Sequence, residues 1–224
     1  MSNAAVYKLK LLHSENLVKD YYLFDFTKPE GFTFVNGQFG VFGLIGEEVE
    51  GRKLRAFSIA STNEESFIRI ATRILPAPSD FKQKLLDMKL GGEVSMNAPL
   101  GDFSLNEAYG AVFIAGGIGI TPIRSMLLSK QRSQSSRNDT LIFSELDGNY
   151  PFKSEVEKLV DLDILYAADV EPTQSVIIQT ALKHKNDVFY YLSGSPGFVN
   201  GIKALLEQNG IVKEQIKFDA FIGY

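Results

Sequence analysis

Ile114-Ala115-Gly116-Gly117-Ile118-Gly119-Ile120-Thr121-Pro122 is the stretch on which the reading of the fold turns. The residues leading into it, Ala111–Ala115, are all apolar and read as a buried strand. Thr121-Pro122 reads as the opening of a helix, with Thr at the cap and Pro in the first turn. Glycines at a strand-to-helix turn let the backbone come close to an anion. The helix N-terminus then offers free N–H groups and partial positive charge. The spacing is not G-x-G-x-x-G, so a tight turn with no ligand stays open for this stretch taken alone.

Downstream the rhythm repeats. Leu141–Phe143, Ile164–Ala167 and Val188–Leu192 read as buried strands. Phe152–Val160, Ser175–Leu182 and Phe198–Asn209 read as the helices between them. Strands alternating with helices imply a parallel sheet covered on both faces. The polar stretch Lys130–Asp139 reads as a surface loop. A second strand-to-helix junction falls at Tyr191-Leu192-Ser193-Gly194-Ser195-Pro196-Gly197-Phe198. Ligands of open parallel sheets lie at the carboxyl ends of the strands. Two such loops at one edge suit an extended dinucleotide; an ordinary capped turn is the alternative for Ser193–Gly197.

Upstream, short strands dominate. Val6–Leu12, Val18–Phe26, Phe39–Ile45, Leu54–Ala60 and Phe67–Leu75 carry alternating or continuous apolar residues. Lys28-Pro29-Glu30-Gly31, Asn36-Gly37 and Gly46 punctuate them as turns. One helix interrupts, capped by Ser79, with Asp80 in its first turn, Phe81, Leu85 and Met88 on one face, and Gly91-Gly92 at its end. A last strand, Glu93–Ala98, leads into Pro99–Phe103. The fold class is therefore two-domain: an antiparallel β-barrel over residues 1–104, then an α/β parallel-sheet domain over residues 105–224.

Composition narrows the chemistry. The 224 residues are 45% hydrophobic and carry a net charge of −4, which argues against a nucleic-acid binder. With no cysteine, disulfides, thiolate nucleophiles and Cys-ligated metals or clusters are excluded. Two histidines, His13 and His184, lie far apart in sequence, and no metal site is read. The longest apolar run, Ala111–Ile120, is about half of the ~20 residues a membrane helix needs. The expectation is a cytoplasmic chain without membrane insertion.

Taken together, these motifs resemble the ferredoxin–NADP reductase family. Arg55-Ala56-Phe57-Ser58 looks like its R-x-[YF]-S flavin motif and Gly37-Gln38-Phe39 its G-Q-[FY] element. Pro99–Phe103 is similar to its P-x-G-x-F turn, and Gly116–Pro122 to its G-G-x-G-x-T-P loop. Ser193–Pro196 is similar to its C-G-x-P stretch, and Phe218–Tyr224 to its aromatic tail. The matches keep the family's order along nearly the whole chain.

The resemblance implies a flavoprotein that takes hydride from a nicotinamide dinucleotide. It implies FAD, with FMN as the alternative, held by the first domain through Arg55, Ala56, Phe57, Ser58, Ala71, Thr72, Ser79 and Phe81. Arg55 would pair with flavin phosphate, where a guanidinium fork suits the anion. Phe57 would lie against the flavin ring, Ser58 would donate toward N5, and Ser79 would mark a helix start that holds pyrophosphate. Bland alternatives stand beside these: a surface ion pair for Arg55, a core aromatic for Phe57, a plain cap for Ser79. Gly116, Gly117, Gly119, Thr121, Pro122, Glu145, Gly194, Ser195 and Pro196 would hold the dinucleotide. Phe221 or Tyr224 would cover the other flavin face. Ser58, Ser193 and Asp219 would take the catalytic positions.

Three departures from the family pattern stand out. Ser193 occupies its Cys position, Asp219 stands where Glu is common, and Ala77-Pro78 replaces a glycine-containing phosphate turn. The segment after the second sheet strand, Ser144-Glu145-Leu146-Asp147-Gly148, has no Arg or Lys. A carboxylate there would bond a ribose 2′-hydroxyl and repel a 2′-phosphate, so NADH is expected over NADPH. Electrons would pass to a separate acceptor such as a ferredoxin. Two other readings stay open: a flavin reductase using free flavin as substrate, and a non-catalytic electron-transfer subunit.

Overall fold

The computed structural model describes residues 6–133 and 139–221. The chain divides into two compact units that meet in sequence at Ser104 and Leu105.

The first unit is a curled antiparallel sheet. Its strands are β1 (Val6–Val18), β2 (Tyr21–Thr27), β3 (Phe39–Leu44), β4 (Leu54–Ser58), β5 (Phe67–Arg73) and β6 (Glu93–Leu100), in the order β4-β3-β6-β1-β2-β5. The sheet's two edges meet just past β4, where Ala60 N donates to Arg69 O of β5 at 2.8 Å. The result is the barrel expected from the strand rhythm. Leu9, Leu11, Phe24, Phe26, Phe42, Ile68, Ile70, Val94 and Met96 fill its core. Each such side chain removed from water contributes about 1.5–3 kcal/mol. Asp25 and Arg69 close a two-pronged bridge at 2.7 and 2.8 Å.

Two boundaries differ from expectation. Val18 ends β1 rather than opening β2. The polar run His13–Asn16 pairs along β2, and Asn16 Nδ2 donates to Lys19 O at 2.8 Å, fixing the hairpin turn where Lys19 takes φ 48°. The helix α1 (Asp80–Asp87) closes at Met88, before Gly91-Gly92. Gly91, at φ 84°, serves instead the turn toward β6: its N–H reaches Leu11 O at 2.8 Å.

The second unit is a parallel sheet of β7 (Gly110–Gly116), β8 (Asp139–Ser144), β9 (Leu162–Ala167), β10 (Val188–Gly194) and β11 (Ile216–Ala220), ordered β11-β10-β7-β8-β9. Helices α4 (Val170–His184) and α5 (Pro196–Gln208) pack Ile177, Ala181, Val199, Ile202 and Leu206 on Val112, Ile114, Tyr190 and Leu192. Helix α2 (Ile120–Ser133) buries Ile120, Ile123, Met126 and Leu127. The segment Phe152–Val160, expected as a full helix, is helical only over α3 (Lys153–Val156). Its entry residue Phe152 sits at φ 61°, and the chain turns into β9 at Leu162.

At its two described ends, the stretch Lys130–Asp139 departs from the surface loop expected from its polarity. Residues 134–138 lie outside the described residues, but both ends are structural. Lys130 is in α2, Asp139 opens β8, and they are 1% and 2% exposed with Nζ–Oδ2 at 2.8 Å. Asp139 Oδ1 also accepts from Ala111 N at 2.8 Å. A buried cation is tolerated there because its partner is buried with it.

Candidate functional site

In the second unit, β7 leads to β8 on one side, while β10 lies on its other side. Strand order therefore reverses between β7 and β10, the place where ligands of open α/β sheets collect. The loops leaving these two strands are Gly116–Gly119 and Gly194–Ser195, so both sequence-predicted glycine loops flank the switch point. They touch each other. A Cβ on Gly119 would stand 2.1 Å from Ser193 O, so only glycine fits there. Gly117 takes φ 53°, the left-handed region glycine accepts without cost.

Thr121 is not the helix cap. A short 3-10 turn, Gly117–Gly119, already coils the chain before α2, so Thr121 sits inside the first turn. Its Oγ1 donates to Ile118 O at 2.9 Å. Pro122 needs no N–H partner at that position. The second loop is capped as expected for its residue types. Ser195 Oγ accepts from Phe198 N at 3.3 Å, and Pro196 is the first residue of α5. Beside it, Ser193 is 0% exposed and pairs in register with Asp219 of β11. Ser193 Oγ finds no hydrogen-bond partner among the described residues. Phe221 N donates to Gly194 O at 2.9 Å, tying the end of the described chain to the same loop. Tyr224 lies outside the described residues.

After β8, Glu145 and Asp147 part company. Glu145 is only 6% exposed, so it is not a solvated loop charge, whereas Asp147 is exposed. Tyr150 lies close enough to Glu145 for the carboxylate to help burial raise the phenol's pKa. Lys153 Nζ stands 4.9 Å from the Tyr166 ring, within reach of Glu157.

In the first unit, the structure gathers Arg55, Ser79 and Phe81. The Arg55 guanidinium lies 5.5 Å from the Phe81 ring and donates to Arg52 O at 2.9 Å. Ser79 caps α1, its Oγ accepting from Lys82 N at 3.5 Å. Lys82, which the sequence reading missed, joins them: its Nζ donates to Arg73 O at 2.8 Å, next to Thr72. Burial, and then Arg55 nearby, pull the Lys82 ammonium below its ordinary value. Burial, and then Arg52, do the same to Arg55. Clustered cations of this kind make a positive region suited to an anion. One signal for Lys82 was available: a lysine in the first turn of a helix opposes the macrodipole unless an anion offsets it.

The remaining expected flavin contacts are more covered. Phe57 is 8% exposed, with its ring 5.7 Å from Phe42 and 6.2 Å from Phe81, so in this structure it belongs to the aromatic core. Ala56 is the exposed member of that motif. Ser58, Ala71, Thr72 and Phe81 are buried. The donor set of Arg55, Lys82 and the α1 N-terminus fits a phosphate-bearing flavin. Ala77-Pro78, before Ser79, supplies one backbone N–H fewer than a glycine-containing turn.

A curled six-stranded antiparallel sheet followed by a five-stranded parallel sheet, its switch point lined by two glycine loops, defines the ferredoxin reductase-like class of fold. No family model matches the chain. Among curated proteins it is similar to the flavohemoprotein of Bacillus subtilis, 27% identical over 84% of this chain and 51% of that one. It is also similar to the reductase component of propane 2-monooxygenase from Rhodococcus jostii, 25% identical over 87% of this chain and 57% of that one. The chain thus spans about half the length of these relatives. Among solved structures, ferredoxin-NADP+ reductase from Plasmodium falciparum superposes with a TM-score of 0.79 at 18% identity, over 96% of this chain and 95% of that one. The flavohem-like FAD/NAD-binding domain of nitric oxide dioxygenase from Vibrio cholerae gives 0.75 at 20%, over 96% and 98%. These likenesses bear out the fold that the motifs implied. No helix among the described residues is long and apolar enough to cross a membrane.

Proposed function

We propose that this chain is a flavin-dependent oxidoreductase that accepts hydride from NADH onto bound FAD and passes electrons to a separate redox acceptor. The observation that carries the reading is the pair of glycine loops packed on one another where the strand order reverses. Those loops supply free N–H groups at the start of α2 and α5 for a dinucleotide's phosphates. Arg55, Lys82 and the α1 N-terminus neutralise the flavin's phosphates. The flavin, when bound, supplies the hydride-accepting ring, and the protein supplies position and electrostatics. FAD is favoured over FMN by the solved FAD/NAD-binding domain the chain resembles. The relative that serves a monooxygenase as its reductase supports an acceptor on another protein, a ferredoxin or an oxygenase component. The preference for NADH rests on Glu145 and Asp147 and on the absence of Arg or Lys from residues 139–152.

The test is a desalting column followed by an absorbance spectrum and steady-state kinetics. Retained flavin colour supports a prosthetic group. Colour lost on desalting, with activity restored by added flavin, supports the flavin-as-substrate reading. A chain that neither retains nor rebinds flavin overturns both. Higher kcat/KM with NADPH than with NADH overturns the nucleotide preference.

A further inference from the structure

Three glycines of the switch-point loops meet protein atoms rather than open space, and two of them meet the same ring. A Cβ on Gly116 would stand 2.8 Å from Phe198 Cδ1 and 3.0 Å from its Cε1 and Cγ. A Cβ on Gly194 would stand 3.0 Å from the same Cδ1 and 3.3 Å from Gly116 O. Phe198 itself stands in the first turn of α5, its N–H held by Ser195 Oγ at 3.3 Å, and its ring packs against the apolar core beneath β10. One rigid ring therefore touches the backbone leaving β7 and the backbone leaving β10. Tightly packed contacts of this kind transmit sub-ångström displacements instead of absorbing them.

We propose that Phe198 is a positioning residue that sets the separation of the two dinucleotide-binding loops, and that Gly116 is a glycine because this ring occupies the space of its side chain, whereas Gly194, which also meets the ring, requires glycine for its φ of 157° as well. The inference rests on the function proposed above. Phe198 need not touch the dinucleotide. It acts through the N–H groups of both loops, which must hold one extended ligand at once. A misplacement of about 1 Å in such an array costs up to about a hundredfold in rate.

The experiment is a mutant cycle in the full chain: Gly116→Ala, Phe198→Ala and the double substitution. The readouts are the NADH dissociation constant from calorimetry, and kcat and KM with ferricyanide as electron acceptor. Phe198→Ala is expected to raise the dissociation constant and KM roughly tenfold or more, with a smaller effect on kcat. Gly116→Ala is expected to do the same by clashing with the ring. In the double variant the Gly116→Ala penalty should shrink several-fold, because the clashing atoms are gone. Strictly additive penalties, or an unchanged dissociation constant in Phe198→Ala, would overturn the proposal. If Phe198→Ala does not fold, the same cycle is read on Phe198→Leu. Absence of NADH binding by the unaltered chain defeats the function and this inference together. Binding by the unaltered chain with an additive cycle defeats the inference alone.

Discussion

Arg55 stands close enough to Lys82 to help burial lower the lysine's pKa, and Arg52 helps burial do the same to Arg55. Under the proposed function, a flavin phosphate bound there offsets this repulsion. Arg55→Gln should weaken flavin binding by about 10- to 100-fold, the loss of one charge-assisted contact of ~1.5–3 kcal/mol. Ultrafiltration against free flavin measures it, and unchanged retention would remove Arg55 from the site. A pH effect belongs to a different residue. Burial, and then Lys183, push the His184 imidazole below its ordinary 6.5, with Asp163 and Asp187 opposing. The unfolded chain then binds the proton more readily, so stability falls as pH drops below 6.5 toward the folded value. Tm should rise as pH is raised through that window, and His184→Asn should flatten that part of the rise. Arg55 and the glycines were legible in the sequence because their roles are written into short motifs. Phe198 was not, because its partner Gly116 comes from a strand distant along the chain, and Lys82, whose partner Arg73 ends the strand just before α1, belongs to no motif and was signalled only by its place in the first helical turn.

Helices and strands were read best where periodicity was unbroken and worst where polar residues took structural work. The hairpin formed by β1 and β2 carries a polar tip, His13–Asn16, that falls outside the expected strands yet pairs as strand. The end of α2 and the start of β8 looked like loop because they hold Lys130 and Asp139, residue types that sequence reasoning assigns to solvent. Their buried pair fastens α2 to both β8 and β7. Lys130→Met should cost about 3–5 kcal/mol, because Asp139 would be left buried and uncompensated. Lys130→Met combined with Asp139→Asn keeps an acceptor for Ala111 N and should recover most of that loss. Urea titration of the three variants checks both outcomes. Equal losses in the single and the double variant would show that the pair's charge is not what matters. At the switch point, Gly119→Ala should destabilise the second unit, since its Cβ would fall 2.1 Å from Ser193 O. A Tm matching the unaltered chain would contradict that packing.

The order of the two units was legible at the scale of the whole molecule because alternation of period two gives way to strand–helix alternation near residue 105. The sequence of motifs carried the rest. The acceptor was left open, and the expected preference for NADH rests on loop residues whose setting no short motif specifies. Glu145 illustrates the reason: it reads as a loop carboxylate, but the fold buries it. Above all, the proposed function requires that one chain accept hydride from NADH onto a flavin it holds. The measurement that tests it most directly is anaerobic addition of NADH to the purified, flavin-loaded protein while the flavin's visible absorbance is followed. The absorbance is expected to bleach with one equivalent of NADH per flavin and to return when an electron acceptor is admitted. A flavin that stays oxidised in excess NADH and excess NADPH would contradict it.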